Sequence, residues 1–132
     1  MAISRPAQMG LTKLVVADLS AQSAFYRAVF GYGEGQFIAA DIAGRRIEEI
    51  IFAGPQGNAE LVLLQFLDEP PPAPHGVILM FYTGDLDGFQ TRLLAAGGTI
   101  IEAIKPLDMG KMKTRMAIFS DVEGFMLEVL ER

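Results

Sequence analysis

The sequence contains an internal repeat, and this repeat limits the folds open to the chain more than any other feature. Asp18-Leu19 and Asp85-Leu86 each follow a β-prone run and precede a helical run, at an offset of 85 − 18 = 67 residues. Gly31 and Gly98 lie at the same offset and end the two helical runs. A fixed offset between similar segments is typical of a chain built from two copies of one supersecondary unit.

A proline-rich segment separates the two copies. Pro70–Pro72 are consecutive prolines, which cannot join a helix or a central strand, so they predict a stiff, extended connector. The length of the chain is that of one ordinary domain. We therefore expect a single domain over 1–132, with module one at about 10–67, the connector at 68–75 and module two at about 76–131.

Each half has the pattern of a strand, a helix and about three further strands. In the first half the predicted elements are strands at 11–16, 37–41, 46–52 and 60–66 and a helix at 21–30. In the second half they are strands at 77–83, 99–104, 112–120 and 125–130 and a helix at 85–96, with a turn or loop at 106–110. The predicted fold class is α+β: two tandem βαβββ modules whose curved mixed sheets surround a central cleft.

Composition excludes several classes of site. The chain has no Cys, which excludes a disulfide framework, a Cys-based metal centre and a cysteine nucleophile. The single histidine, His75, excludes a His-rich metal cluster and leaves one candidate for a Ser-His-Asp triad. At the end of the connector, His75 has the pattern of a surface or loop residue, with a place at the rim of the pocket as the alternative. The net charge of −5 argues against nucleic acid as a partner.

Hydrophobic residues make up 51% of the chain, which is high for a small domain. The longest apolar runs, such as Ile78–Phe81, fall far short of the ~20 residues that a membrane span needs. The first residues lack the apolar core of a signal peptide, so we expect a cytoplasmic protein with no membrane partner. The apolar surplus must therefore lie in a core, a subunit interface or a pocket.

Two segments resemble the signatures of a known family. Residues 18–31 are similar to the opening "D-L-x-x-S-x-x-F-Y-x-x-x-L-G" of the vicinal oxygen chelate superfamily, and residues 119–128 resemble its ending "F-x-D-P-D-G-x-x-x-E". That superfamily contains glyoxalase I, bleomycin-resistance proteins, ring-cleaving dioxygenases and methylmalonyl-CoA epimerase. The resemblance covers residues 11–131 and implies the same paired-module fold, often as a homodimer. Because the superfamily covers many chemistries, the fold alone does not give the function.

The resemblance also implies where a metal would lie. Metal-using members place a His or Gln on the first strand of each module and a Glu on the last strand. The first positions hold Leu11 and Ile78, which cannot bind a metal. The last positions hold Glu128 and either Glu60 or, in the alternative register, Val62. We therefore expect no tight transition-metal site and no cofactor, although two carboxylates and waters leave a weak Mg²⁺ or Mn²⁺ site open.

Strand alternation predicts which side chains line the cleft, since residues i and i+2 share a face. The predicted polar points are four side chains, namely Lys13, Glu60, Tyr82 and Glu128. The apolar side chains predicted to bind substrate lie on the same strand faces as these four, and they are Leu11, Val15, Val62, Ile78, Met80 and Met126. An apolar lining with few polar groups is typical of a small-molecule pocket.

These polar points suggest acid–base chemistry. Glu128 or Glu60 would act as the general acid or base, and Tyr82 or Lys13 would stabilise an enolate or oxyanion. The alternative is that Lys13 only forms a buried ion pair with one of the two glutamates. Arg115, with its neighbours Lys111 and Lys113, either captures an anionic substrate group or solvates an edge strand.

Three functions therefore remain open. The first is a metal-independent acid–base enzyme, of isomerase, lyase or cyclase type, acting on a small substrate with an apolar body. The second is a non-catalytic binding or sequestering protein of the bleomycin-resistance type. The third and weakest is a metal-dependent glyoxalase- or dioxygenase-like enzyme. Convergence of Lys13, Tyr82 and Glu128 in one cavity is the structural condition for the first.

Overall fold

The computed structural model describes residues 6–132, so residues 1–5 of the predicted domain lie outside the described part. The elements follow the predicted order in both halves. In the first half they are β1 (Thr12–Val15), α1 (Leu19–Phe30), β2 (Gln36–Ile42), β3 (Arg45–Ala53) and β4 (Ala59–Phe66). In the second half they are β5 (Ile78–Thr83), α2 (Leu86–Ala95), β6 (Thr99–Met109), β7 (Met112–Ser120) and β8 (Met126–Glu131).

Each module forms its own four-stranded mixed sheet. The strand orders are β1-β4-β3-β2 and β5-β8-β7-β6. In each sheet the first strand pairs in parallel with the last, and the other pairs are antiparallel. The prediction of an α+β fold with two βαβββ modules is confirmed, and the two sheets are not joined into a closed barrel.

The repeated aspartates begin the two helices. The carboxylate of Asp18 accepts the backbone N–H of Ala21, and that of Asp85 accepts the N–H of Gly88, each at 3.0 Å. A side-chain oxygen at this position replaces a partner that the first turn of a helix lacks. Gly31 ends α1 in the left-handed region (φ 77°), where glycine carries no steric penalty. Within residues 6–132, no helix is long and apolar enough to cross a membrane.

One buried core draws on both modules. Each sheet turns one face towards the helices, with Leu14 and Leu63 on the first sheet and Phe119 and Leu127 on the second. The end of α1 packs into the second module, where the ring of Phe30 lies 4.0 Å from that of Phe81 and 5.4 Å from that of Phe89. The modules therefore share apolar burial and are held together by more than the connector.

A buried carboxylate joins the two modules at the turn between β7 and β8. Asp121 is 3% exposed, and its Oδ2 accepts hydrogen bonds from Tyr26 Oη (2.7 Å) and Gln22 Nε2 (3.0 Å), both on α1. Its Oδ1 accepts the backbone N–H groups of residues 123–125. Burial, and then the negative charge of Asp121, raise the pKa of Tyr26, which keeps its hydroxyl a neutral donor.

The same turn also supports the start of α1. The carboxylate of Glu123 accepts the backbone N–H groups of Ala17 (2.8 Å) and Asp18 (2.9 Å). A negative charge at the N-terminus of a helix is favourable because the helix dipole is positive there. The second signature segment therefore contacts the first in space, although about a hundred residues separate them in the chain.

The prediction of a loop at 106–110 is wrong, because β6 continues to Met109. β6 is an edge strand of the second sheet, and an edge strand tolerates Pro106 since the missing N–H would face away from the sheet. Its pairing with β7 is irregular on either side of Glu102. The chain reverses only at Gly110, whose φ of 74° suits glycine.

We predict that Tyr26→Phe lowers the free energy of unfolding by about 1.5–3 kcal/mol, because it removes a buried hydrogen bond to a carboxylate. The matched control is Tyr82→Phe at a tyrosine that is 48% exposed, where we expect a change within about 0.5 kcal/mol. Chemical denaturation followed by circular dichroism measures both variants. Equal effects of the two variants would contradict the structural role of the Tyr26–Asp121 contact.

Candidate functional site

A cleft of about 930 Å³ lies where the two modules meet. Its walls come from the start of β1, the end of α1 and the segment after it, the end of β3, the start of β4, and β5. The lining residues are Thr12, Phe30–Gly33, Ala53–Pro55, Glu60, Leu61, Leu79–Tyr82 and Arg132. The edge strands β1 and β5 thus face each other across this cleft, as the repeat predicts for two related modules.

Glu60 lies in the cleft, and it does not form the ion pair with Lys13 that was the alternative to acid–base chemistry. Phe52 pairs with Leu61 and Ala53 pairs with Ala59, so Glu60 is an extra residue at a bulge. A bulge breaks the alternation on which the prediction relied. The carboxylate of Glu60 instead accepts a hydrogen bond from the hydroxyl of Tyr32.

Tyr32 is held in place by the module-one core. Its ring stacks on that of Phe52 with a centroid separation of 4.7 Å and an interplanar angle of 9°. Burial, and then its hydrogen bond to Glu60, raise the pKa of Tyr32, so the hydroxyl stays protonated and donates to the carboxylate. The sequence analysis did not identify Tyr32, since it follows the helix-ending Gly31 and belongs to no strand.

Tyr82 and Met80 line the same cleft from β5, together with Leu79 and Phe81 of the other strand face. The guanidinium of Arg132 lies 4.0 Å from the centre of the Tyr82 ring, within the range of a cation–π contact. The cleft therefore combines aromatic walls with a carboxylate from one module and a guanidinium from the other.

Lys13 forms its ion pair with a residue that sequence reasoning left unassigned. Its Nζ lies 3.0 Å from Glu49 Oε1, and Glu49 is only 7% exposed. Neither Glu60 nor Glu128 is its partner, so both predicted pairings are wrong. Glu49 lies on the same face of β3 as Ile47 and Ile51, because residues two apart in a strand share a face. Which face this is follows only from the pairing register of β3.

Glu128 lies in the middle of the second sheet and is not the partner of Lys13. It pairs in register with Met80 on β5 and Ile118 on β7, and its side chain is half-buried. Within residues 6–132 its carboxylate makes no hydrogen bond or ion pair. Met126 precedes it on the same face, also half-buried.

The face of β5 that the prediction turned towards the cleft is open. Ile78, Met80 and Tyr82 are 60%, 45% and 48% exposed. Leu11 on the first module is exposed as well. Ile78, Leu11 and Met126 line neither the 930 Å³ cleft nor the second cavity described below. Three large side chains, those of Ile78, Met80 and Tyr82, are thus exposed in one row along β5.

Two predicted substrate contacts on the first sheet are not at the cleft. Val62 is fully buried, so it cannot touch a ligand in this conformation and its predicted role is wrong. Val15 and Lys13 line a second cavity beneath the connector. Strand alternation places Val62 on the same face of the first sheet as Lys13 and Val15, as predicted from sequence. The connector and neighbouring side chains cover that face.

Arg115 does not lie in the cleft. Its guanidinium binds Glu131 (3.0 and 2.9 Å) and Asp87 of α2 (2.8 Å). Side chains alternate along β7, so Arg115 lies on the same face of the sheet as Ala117 and Phe119, which face the helices. Met116 and Ile118 lie on the opposite face. Arg115 is therefore an ion-pair residue between β7, β8 and α2, and the predicted capture of an anionic substrate group is wrong.

Lys13, Tyr82 and Glu128 do not line one common cavity among the two described here. Tyr82 lines the 930 Å³ cleft, Lys13 lines the second cavity, and Glu128 lines neither. Catalytic groups must lie within hydrogen-bond reach of one substrate to act together. The proposed set of Lys13, Tyr82 and Glu128 is thus spread over three places.

The residues at the family's metal positions do not fit a metal ion. Leu11 and Ile78 offer hydrocarbon where an imidazole or amide would bind, and Glu60 already accepts the Tyr32 hydroxyl. In the described range, 6–132, no three His, Asp or Glu residues lie close enough to hold a metal. Divalent transition metals need several nitrogen or oxygen donors around one point.

Comparison with known proteins identifies a family. Residues 8–129 match the family described as the Glyoxalase/Bleomycin resistance protein/Dioxygenase superfamily. A glyoxalase family protein from Bacillus cereus has 19% identity and a TM-score of 0.80, covering 99% of this chain and 97% of its own. The corresponding domain from Frankia sp. EAN1pec has 18% identity and a TM-score of 0.72, with 96% and 98% covered.

Another similar structure belongs to a longer chain. A glyoxalase I mutant from Zea mays has 19% identity and a TM-score of 0.73, and the match covers 92% of this chain but 44% of the maize chain. At such identities the likeness establishes the fold alone. No curated protein matches the chain significantly.

The Arg115–Glu131 contact predicts a pH dependence of stability. The hydrogen bonds from Arg115, and then from the Leu86 N–H, lower the pKa of Glu131 to about 2 from its ordinary value of 4.5. A carboxyl whose pKa is lower in the folded state stabilises the fold above the unfolded pKa and loses this effect as the pH falls. The stability difference between wild type and Glu131→Gln should therefore be complete above pH 4.5 and vanish towards pH 2.

The free energy of unfolding, measured by urea denaturation across this pH range, tests the contact. Glu34→Gln, at an exposed carboxylate of the segment before β2, is the matched control. A pH-independent difference between wild type and Glu131→Gln would contradict the assignment.

Proposed function

The chain belongs to the Glyoxalase/Bleomycin resistance protein/Dioxygenase superfamily, and we propose that it binds a small molecule with an aromatic or apolar body in the cleft between its modules, without a metal. The volume of about 930 Å³ lies within the usual range of ligand pockets. The aromatic side chains of Tyr32, Phe81 and Tyr82 offer flat surfaces against which a ring can stack.

One observation carries this proposal: Lys13, Tyr82 and Glu128 do not line one common cavity, whereas three aromatic side chains line the same cleft. Lys13 is engaged with Glu49, and Glu128 lies outside the cleft. Glu60 and Arg132 leave one negative and one positive group in the cleft, enough to orient the polar ends of a ligand. This arrangement supports a binding or sequestering protein of the bleomycin-resistance type.

A second candidate function rests on the Tyr32–Glu60 pair. Glu60 is the predicted acid–base residue that lies in the cleft, and its hydrogen bond to Tyr32 orients the carboxylate. Tyr82, on the facing strand, offers a hydroxyl that would stabilise an oxyanion. This pair would support proton transfer of the isomerase, lyase or cyclase type on the same apolar ligand.

We also propose that the protein acts as a homodimer. The exposed row of Ile78, Met80 and Tyr82 is an apolar strand face that a second copy would cover. A partner at this face would lie beside Glu128 and one wall of the cleft, so the ligand site would adjoin the interface. Isologous contact of one patch with its own copy is the commonest form of dimer.

The ligand proposal predicts a specific loss on removing one ring. Ligands are first found by a thermal-shift screen of neutral and charged aromatic compounds, since a ligand that binds only the native state raises Tm. Tyr82→Ala should then weaken the best ligand about tenfold, because a stacking surface is removed. Phe37→Ala, at an exposed ring of β2 outside the cleft, should leave the affinity unchanged.

Glu60→Gln distinguishes binding from catalysis. Under the binding proposal the wild type leaves every ligand chemically intact, as followed by NMR, and the variant retains affinity within about threefold. Turnover by the wild type that Glu60→Gln abolishes while affinity remains would replace the binding function with the acid–base one. Equal affinity of Tyr82→Ala and wild type for every ligand found would contradict both.

The dimer proposal predicts that Ile78→Lys weakens self-association at least about tenfold, because a charge would be buried at an apolar interface. Ile78 is 60% exposed in the single chain, so the substitution leaves the monomer fold intact. Leu94→Lys, at an exposed leucine of α2, is the control. Light scattering over a range of concentrations measures the mass, and a monomeric wild type would refute the dimer.

A further inference from the structure

A second cavity of about 440 Å³ lies beneath the proline-rich connector and shares no lining residue with the first cleft. One wall is the connector from Glu69 to His75. The opposite wall is formed by the face of the first sheet at the ends of β1 and β4, with Val15 and Phe66, and by Val77 and Phe125 of the second module. The cavity thus lies between the modules at the opposite end of β1 from the first cleft.

The connector wall is fixed by its own contacts. Asp68 binds Arg45 at its Nε (2.7 Å) and at its terminal nitrogen (2.6 Å). The guanidinium of Arg45 lies 3.8 Å from the centre of the Phe66 ring. Proline has a fixed φ and no N–H, so the wall that follows Asp68 is stiff and presents mainly carbon. A preformed wall lowers the ordering cost of binding a ligand.

Polar groups of the cavity are largely engaged with one another. Arg45 is balanced by Asp68, and Lys13 by the buried Glu49. Glu69 remains as an exposed carboxylate, 3.9 Å from Arg45. The formal charges of these five groups sum to a small negative value, which disfavours an anionic ligand.

Lys13 supplies the polar anchor. An ammonium has three N–H donors, and Glu49 takes one of them in the described structure. The side chain of Lys13 is 43% exposed and lines the cavity, so donors remain for a ligand. Because its charge is balanced by Glu49, the group it suits best is a neutral acceptor such as a carbonyl oxygen.

We propose that this second cavity binds a neutral aromatic or alicyclic molecule that carries one hydrogen-bond-accepting oxygen. The ring lies between the proline wall and the side chains of Phe66 and Val15, and the oxygen accepts a hydrogen bond from Lys13. The site is separate from the first cleft and does not depend on the proposed function.

Benzophenone is a suitable probe, since it is a neutral aromatic ketone that labels nearby C–H groups on irradiation. We expect saturable labelling of residues 66–77, mapped by mass spectrometry of peptides. His75 is the only histidine of the chain, so its imidazole NMR signals report on the rim of this cavity without ambiguity. These signals should shift as benzophenone is added.

The anchor is tested by the double variant Lys13→Met with Glu49→Gln, which removes both charges together and leaves no buried unpaired carboxylate. It should weaken benzophenone about five- to tenfold, the effect of one lost hydrogen bond. Diphenylmethane, which lacks the carbonyl, should bind wild type and double variant equally. Val77→Trp, at an exposed position of the wall, should block both ligands even if the double variant does not fold.

Three results would overturn the inference. The first is labelling confined to residues 30–33 and 79–82, which would favour the first cleft and support the proposed function instead. The second is labelling at 66–77 that is unchanged in both the double variant and Val77→Trp. The third is the absence of saturable binding.

Discussion

The contact between Tyr26 and Asp121 is the interaction on which the arrangement of the two modules depends. It joins the middle of α1 to the turn between β7 and β8, while Glu123 in the same turn binds the N-terminal end of that helix. A buried carboxylate requires hydrogen-bond donors, and here α1 and the turn itself provide all of them. This requirement fixes how module one lies on module two, and so fixes the cleft between β1 and β5.

The two sheets are related by the repeat, but they are covered differently. In the first, Ile47, Val62 and Leu64 are buried although they lie outside the shared core, and the connector lies over this end of the sheet. In the second, the corresponding face of β5 is open. One sequence repeat therefore gives two unlike surfaces, one beneath the connector and one open along β5.

The fold could be predicted from sequence because its signals are local: aspartates that begin helices, glycines that end them and prolines between modules. The site could be predicted only in part. Tyr82 and Met80 follow the alternation of a regular strand, whereas Glu60 lies at a bulge that no sequence period reveals. The Lys13–Glu49 and Arg115–Glu131 pairs depend on cross-strand register and on which sheet face the helices cover, and both are fixed by tertiary packing.

Hydrocarbon at positions 11 and 78 and the engagement of Glu60 by Tyr32 underlie the proposal that this protein binds its ligand without a metal. Calorimetric titration of the purified protein with Mn²⁺, Ni²⁺ and Zn²⁺ tests that proposal most directly. We predict no saturable binding tighter than about 1 mM, since a pair of separated carboxylates makes a weak site. Binding of one ion per chain tighter than about 10 µM would contradict it, because such affinity requires several convergent donors.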